Sequence, residues 1–224
     1  MSYIIAENLT KKYGNGDTAV TAVAGISFRI NEGEFIGIMG ESGAGKSTLL
    51  GMMGAMNAPT SGRLTVDDID VYSLGAEQRA DFRREFLGFI FQSFHLVPYL
   101  TVIENVMLPL AIVKAAKKKK REMAEAALSQ VGLSDKANRL PGQISGGENE
   151  RVAIARSIVN EPPVLLADEP TGNLDTKTTR EVMELLSQLN KKGMTIIMVT
   201  HSPDCADYAQ RIIKVSDGKL LYEN

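Results

Sequence analysis

The sequence predicts an α/β fold. It reads as a mainly parallel core sheet, an N-terminal antiparallel β layer and a helical subdomain, all within a single domain over residues 1–224. Three observations predict it. A glycine-rich loop at residues 40–48 lies between an apolar run and a helix-compatible run. Helix-like and strand-like runs alternate in the second half, as in a parallel sheet with covering helices. Between these regions, residues 101–138 change to helical periodicity.

From the N-terminus, Tyr3–Leu9 and Val20–Ile30 are strand-like runs on either side of the turn-rich Gly14-Asn15-Gly16-Asp17, with Gly25 interrupting the second. They predict the antiparallel layer. Phe35–Met39 is an apolar strand that leads into Gly40-Glu41-Ser42-Gly43-Ala44-Gly45-Lys46-Ser47-Thr48, and Thr48–Met53 continues as a helix. The spacing G-x-x-x-x-G-K-S lets glycines 40, 43 and 45 take backbone angles closed to other residues. Successive N–H groups can then converge on a polyphosphate at a helix N-terminus. Lys46 supplies charge for the β and γ phosphates, Ser47 a hydroxyl for Mg²⁺, and Thr48 a further donor. The strand–loop–helix setting predicts a P-loop NTPase. Leu64–Val66 and Leu87–Phe91 read as further strands, and Ala76–Glu85 has helical composition.

The helical subdomain is expected at 92–140, with the nucleotide-binding core at 1–91 and 141–224. Val102, Val106 and Leu110 recur at fourfold spacing, ahead of Lys117-Lys118-Lys119-Lys120-Arg121 and an alanine-rich stretch. That basic run could touch anionic lipid, but beside Glu122 and Glu125 it reads more simply as a solvated helix face. A helix from near Glu148 leads to Val164–Ala167, and a helix at Thr178–Leu189 leads to Met194–Thr200.

Asp168 and Glu169 stand at the C-terminal edge of the Val164–Ala167 strand. Alone they read as a turn into Pro170. With the upstream loop, Asp168 is placed to hold Mg²⁺ through water and Glu169 to deprotonate an attacking water, because ligands of parallel sheets sit beyond the carboxyl ends of strands. Ser145, Gly146, Gly147 and Glu148 open a helix with exposed backbone N–H groups, which is a second anion site or a plain helix cap. One nucleotide loop needs such a second site when it contacts nucleotide held by another copy, which predicts a head-to-tail homodimer with nucleotide at the interface.

Composition excludes several classes. A formal net charge of −2 gives no general reason to bind nucleic acid, and none is expected as a partner. The single cysteine, Cys205, sits among polar residues, cannot form an internal disulfide and fits a reducing cytoplasm as an incidental small residue. No secretory signal is seen at Met1–Ala6. The best membrane-span candidate, Val102–Ala116, is broken by Glu104, Asn105, Pro109 and Lys114.

Together these residues resemble the nucleotide-binding subunit of ATP-binding cassette (ABC) transporters over essentially the whole chain. The elements in order are Tyr13 after Lys11-Lys12, GESGAGKST at 40–48, Gln92 after Phe91, ISGGE at 144–148, VLLADEP at 164–170, Asn173-Leu174-Asp175 and His201 after a strand. The resemblance implies an ATP hydrolase that uses ATP and Mg²⁺. Tyr13 would stack on adenine, where the alternative is an edge tyrosine. Gln92 would sense Mg²⁺ and the attacking water, and Ser145, Gly146 and Gly147 would bind the γ-phosphate of the opposite subunit. Asp175 would couple the two sites, and His201 would hydrogen-bond the γ-phosphate and help fix Glu169; His95 reads as a loop residue.

The family's commonest signature is LSGGQ, so Ile144 and Glu148 depart from it. Glu148 adds negative charge near a phosphate site unless it turns toward ribose or a basic neighbour. The stretches at 91–110 and 167–175 resemble the subgroup serving lipoprotein release and macrolide efflux. That implies a membrane permease subunit docked on the helical subdomain, and a cytoplasmic protein held peripherally at the membrane's inner face. A regulatory ABC ATPase of the cell-division type is the alternative.

Overall fold

The computed structural model describes residues 2–14 and 16–223. Met1, Asn15 and Asn224 lie outside them, and with Asn15 the centre of the expected turn at 14–17. β1 (Ser2–Tyr13) and β2 (Val20–Asn31) pair antiparallel, from Ser2 opposite Asn31 to Tyr13 opposite Val20. Both run beyond the apolar stretches, because backbone pairing carries the ladder through the polar Thr10–Tyr13 segment. Gly25 is a bulge and not a break: the register steps from Leu9–Ile26 to Thr10–Ala24, and Gly25, at φ 71°, donates its N–H to Thr10 Oγ1. β4 (Ser61–Val66) and the short β5 (Ile69–Asp70) complete this four-stranded sheet in the order β2-β1-β4-β5.

The chain crosses into the second sheet with β3 (Phe35–Met39), followed by α1 (Lys46–Met53). α2 (Ala76–Phe86) leads into β6 (Leu87–Ile90), which leaves Phe91 just outside the strand. The middle segment is less continuous than its periodicity suggests. α3 (Val102–Met107) gives way to a 3₁₀ turn at Leu108–Ile112, and α4 (Lys117–Gln130) starts separately. Pro109 lacks the N–H that would extend α3. Val102, Val106 and Leu110 are nonetheless all fully buried, as their spacing requires. Lys117, Lys118 and Lys119 are exposed at the start of α4.

α5 (Gly146–Ile158), β7 (Val164–Asp168), α6 (Thr176–Lys191), β8 (Thr195–Thr200) and the short α7 (Pro203–Ala206) follow. Besides the short β5, two strands lie outside the sequence expectation, β9 (Arg211–Ser216) and β10 (Lys219–Glu223). The second sheet runs β10-β9-β3-β8-β7-β6, with β9 to β6 parallel and β10 antiparallel at the edge.

Strand alternation divides the core. Ile36 and Ile38 of β3, Val164 and Leu166 of β7, and Ile197 and Val199 of β8 pack with α1 beneath the antiparallel sheet. Leu165, Ala167, Ile196 and Met198 point the other way, into a cluster shared with α3, α4, α5 and α6. Both faces of the parallel sheet are therefore covered, which is why its strands read as unbroken apolar runs. Cys205 is 1% exposed and belongs to the second cluster, so its polar sequence neighbours misplace it.

Candidate active site

Because β3, β8, β7 and β6 are parallel, their carboxyl ends share one edge, and the candidate residues gather there. The loop after β3 is wedged between two other segments. A Cβ on Gly45, at φ 95°, would run into the carbonyl oxygen of Ala22, and one on Gly40 into that of Val215. The Gly218 N–H donates to the Ala44 carbonyl at 3.1 Å, so the turn between β9 and β10 braces the loop from behind. Lys46 is 6% exposed, and its Nζ donates to the carbonyls of Gly40 and Glu41, both at 2.8 Å. Its ammonium thus sits inside the concavity that its own loop encloses.

Ser47, on the first turn of α1, donates its hydroxyl to Asp168 Oδ1 at 3.1 Å. This contact joins the phosphate loop to the end of β7 across 121 residues. Burial raises the Asp168 carboxyl above the usual range and the Glu169 charge adds to it, while the Ser47 hydrogen bond and Lys46 oppose. A hydroxyl and a carboxylate make a hard oxygen pair, suited to a small divalent cation that takes its other ligands from phosphate and water.

Glu169 takes φ 49°, a region that non-glycine residues rarely occupy, and its N–H donates to Val199 O at 3.0 Å. The kink turns its carboxylate out of the strand direction. Gln92 Nε2 donates to Glu169 Oε2 at 3.4 Å, and His201 Nδ1 lies 3.3 Å from the same oxygen. Side chains from the ends of β6, β7 and β8 thereby converge on one carboxylate. Oε1 is left as the oxygen without either contact.

Ser145, Gly146, Gly147 and Glu148 form a separate group. Ser145 caps α5 and accepts the Glu148 N–H at 3.2 Å, while Glu148 Oε2 accepts the Ser145 N–H at 2.8 Å. Glu148 thus closes a reciprocal capping box, and Lys136 at 3.8 Å lies against its charge. The Ser145 N–H lowers the Glu148 carboxyl pKa foremost, against its burial. Gly147 meets a packing requirement, since a Cβ there would strike the Thr178 methyl on α6. Among the described residues, no hydrogen bond or ion pair links this group to the carboxylate cluster. Tyr13 is likewise apart, 44% exposed at the end of β1 with Lys11 Nζ 5.1 Å from its ring centre.

Several contacts around the site escape sequence reasoning. Asn173 Nδ2 donates to Gln92 O at 3.0 Å, and the fully buried Asn105 holds the carbonyls of Val97, Leu100 and Thr101. Asp175 caps α6 by accepting the N–H groups of Lys177 and Thr178, both at 3.0 Å. The signal for Asp175 was present, as an acid just before a helical run; buried asparagines give none.

Comparisons with known proteins identify the family of the chain. The family model described as ABC transporter matches residues 23–172. An ABC transporter ATP-binding protein of Methanocaldococcus jannaschii is 47% identical, covering 97% of each chain. The lipoprotein-releasing system ATP-binding protein LolD of Geobacter metallireducens is 46% identical, covering 96% of each. The macrolide export ATP-binding/permease protein MacB of Hyphomonas neptunium is 41% identical over 97% of this chain, which spans 34% of that longer protein. A dimeric ATP-binding cassette solved in a post-hydrolysis state with ADP and Pi superimposes with a TM-score of 0.90 at 40% identity, covering 99% of this chain and 97% of that one. With the phosphate loop, the strand-end carboxylates and the serine-capped helix all in place, the chain belongs to the ABC transporter family as an ATP-binding, ATP-hydrolysing subunit.

Proposed function

We propose that this subunit closes head to tail on a second copy of itself around ATP and drives a separate membrane permease. The observation that carries the catalytic part is the convergence of Gln92 and His201 on Glu169 beside the Ser47–Asp168 pair. ATP occupies the loop at 40–48. Lys46 exchanges the carbonyls of Gly40 and Glu41 for phosphate oxygens, Thr48 adds a donor, and Tyr13 stacks on adenine. Ser47, Asp168 and Gln92 hold Mg²⁺, which when bound neutralises charge on the phosphates. Glu169 orients the attacking water and takes its proton, while Gln92 and His201 fix which way the carboxylate faces. Positioning and charge neutralisation supply the rate.

Ser145, Gly146, Gly147 and Glu148 contribute from the partner copy. Their lack of any bond to the cluster within one chain fits a site completed in trans, and the dimeric cassette solved with ADP and Pi supports the same arrangement. For the permease, a groove of about 330 Å³ lies where the segment at 92–140 meets the core, lined by Met56, Phe89, Pro109, Ile112 and Arg156 among others. Ile112 is 67% exposed there. That MacB carries ATP-binding and permease parts in one protein supports a membrane subunit as the occupant. Among the described residues no helix is long and apolar enough to cross a membrane, so attachment at its inner face runs through that subunit. The LolD and MacB relatives favour a lipoprotein-release or efflux role.

Glu169→Gln tests the core of this reading. We expect ATP binding to persist, turnover to fall by about 10³-fold, and an ATP-dependent dimer to accumulate on a sizing column. Unchanged turnover would remove Glu169 as the base.

A further inference from the structure

We propose that Arg156 is a positioning residue for hydrolysis: its guanidinium pins the backbone at Phe94 and His95 and so holds Gln92 against Glu169. The inference rests on the roles given to Gln92 and Glu169 above. After β6 the chain runs from Phe91 to Thr101 without helix or strand. Such a segment keeps one shape only if other groups bind its backbone. Side chains from three other segments do so. Asn173 holds the Gln92 carbonyl, Asn105 holds the far end at 97–101, and Arg156 holds the middle. Arg156 Nη2 donates to Phe94 O at 2.7 Å and Nη1 to His95 O at 2.6 Å.

Two further observations single out this clamp. His95 sits at φ 46°, a backbone state that relaxes unless its surroundings enforce it. Arg156 is also the charged member of the set, and among the described residues it makes no ion pair at contact distance. Glu150 on the same helix acts on it electrostatically but shares no hydrogen bond with it. The arginine therefore directs two N–H groups of its planar fork at two successive carbonyls, one to each. Because Arg156 lies on α5, the helix that Ser145 caps, the glutamine loop is tied to the helix that faces the partner copy. The same side chain lines the groove assigned to the permease.

The test uses the full chain carrying Arg156→Met, with two readouts. The first is independent of turnover: chymotrypsin cleavage at the Phe94–His95 bond, whose carbonyl the guanidinium occupies. We expect cleavage to quicken about tenfold with the melting temperature unchanged, since the loop opens locally. The second is steady-state ATP hydrolysis. We expect kcat to fall about tenfold with KM within about twofold, and almost no further loss when Arg156→Met is added to Gln92→Ala. Cleavage at the wild-type rate, or losses that multiply in the double variant, would overturn the proposal. If Arg156→Met does not fold, Arg156→Gln, a polar side chain too short to reach both carbonyls, carries the same two measurements. Unchanged turnover in Glu169→Gln would remove the base assignment, while the cleavage result would still decide whether Arg156 holds the loop.

Discussion

At the scale of single residues, packing holds some polar groups away from their usual company, and Glu150 is the clearest. It is 1% exposed on α5, and its Oε1 has no hydrogen-bond partner. Burial pushes its carboxyl up to about 8 from 4.5, with Arg156 opposing only in part. Between those values the folded chain holds a proton that the unfolded chain has released, so stability is full below about 4.5 and declines as pH rises toward 8. Glu150→Gln keeps the shape and removes the titration. We expect it to match wild type near pH 4 and to exceed it by about 1–3 kcal/mol at pH 8.5 in urea melts. Parallel pH profiles for the two proteins would show that Glu150 is ionised in the fold. Nothing in the sequence marked this residue, because an acid beside Glu148 and Arg151 looks like one more surface charge. Its burial comes from the rotation of α5 against α3, α4 and α6, which only packing fixes.

At the scale of elements, Ser145-Gly146-Gly147 serves two functions, and the structure separates them. Ser145 and Glu148 build a capping box, while Gly147 lets α5 approach Thr178 on α6. Thr178 is not free to move aside, because its hydroxyl donates to Asp175 Oδ2. Gly147→Ala should therefore cost about 1–3 kcal/mol through overpacking. Adding Thr178→Ser, which deletes the methyl and keeps the hydroxyl, should recover most of that loss in thermal melts. If stability is untouched by Gly147→Ala while ATP turnover collapses, the glycine serves phosphate alone. The loop at 40–48, β3, β7, β8 and their helices were legible because motif spacing and apolar runs are local signals. β9 and β10 were not, since Arg211–Ser216 mixes polar and apolar residues and its strand state comes from pairing with β3. Asp175 was expected to couple two sites, and within one chain it is the N-cap of α6.

At the scale of the whole molecule, the proposed reading gives one chain both halves of a site and keeps them apart. The carboxylate cluster was legible from Asp168, Glu169, Gln92 and His201, each at or just beyond a strand end. The Arg156 and Asn173 clamps on the Gln92 loop were not, because they join residues 61 to 81 positions apart through backbone carbonyls. A head-to-tail pair places the loop of each chain against the capped helix of the other, so the two sites draw on different chains. Take Lys46→Ala, which removes the phosphate charge, and Ser145→Arg, which blocks the capped helix. Each variant alone should be nearly inactive, because every site in either homodimer contains a damaged half. In a mixture of equal amounts, half the dimers are mixed, and each mixed dimer keeps one site with Lys46 and Ser145 both intact. Steady-state ATP hydrolysis should then recover to at most about a quarter of the wild-type rate. Substantial turnover by Ser145→Arg on its own would show that one chain completes its own site.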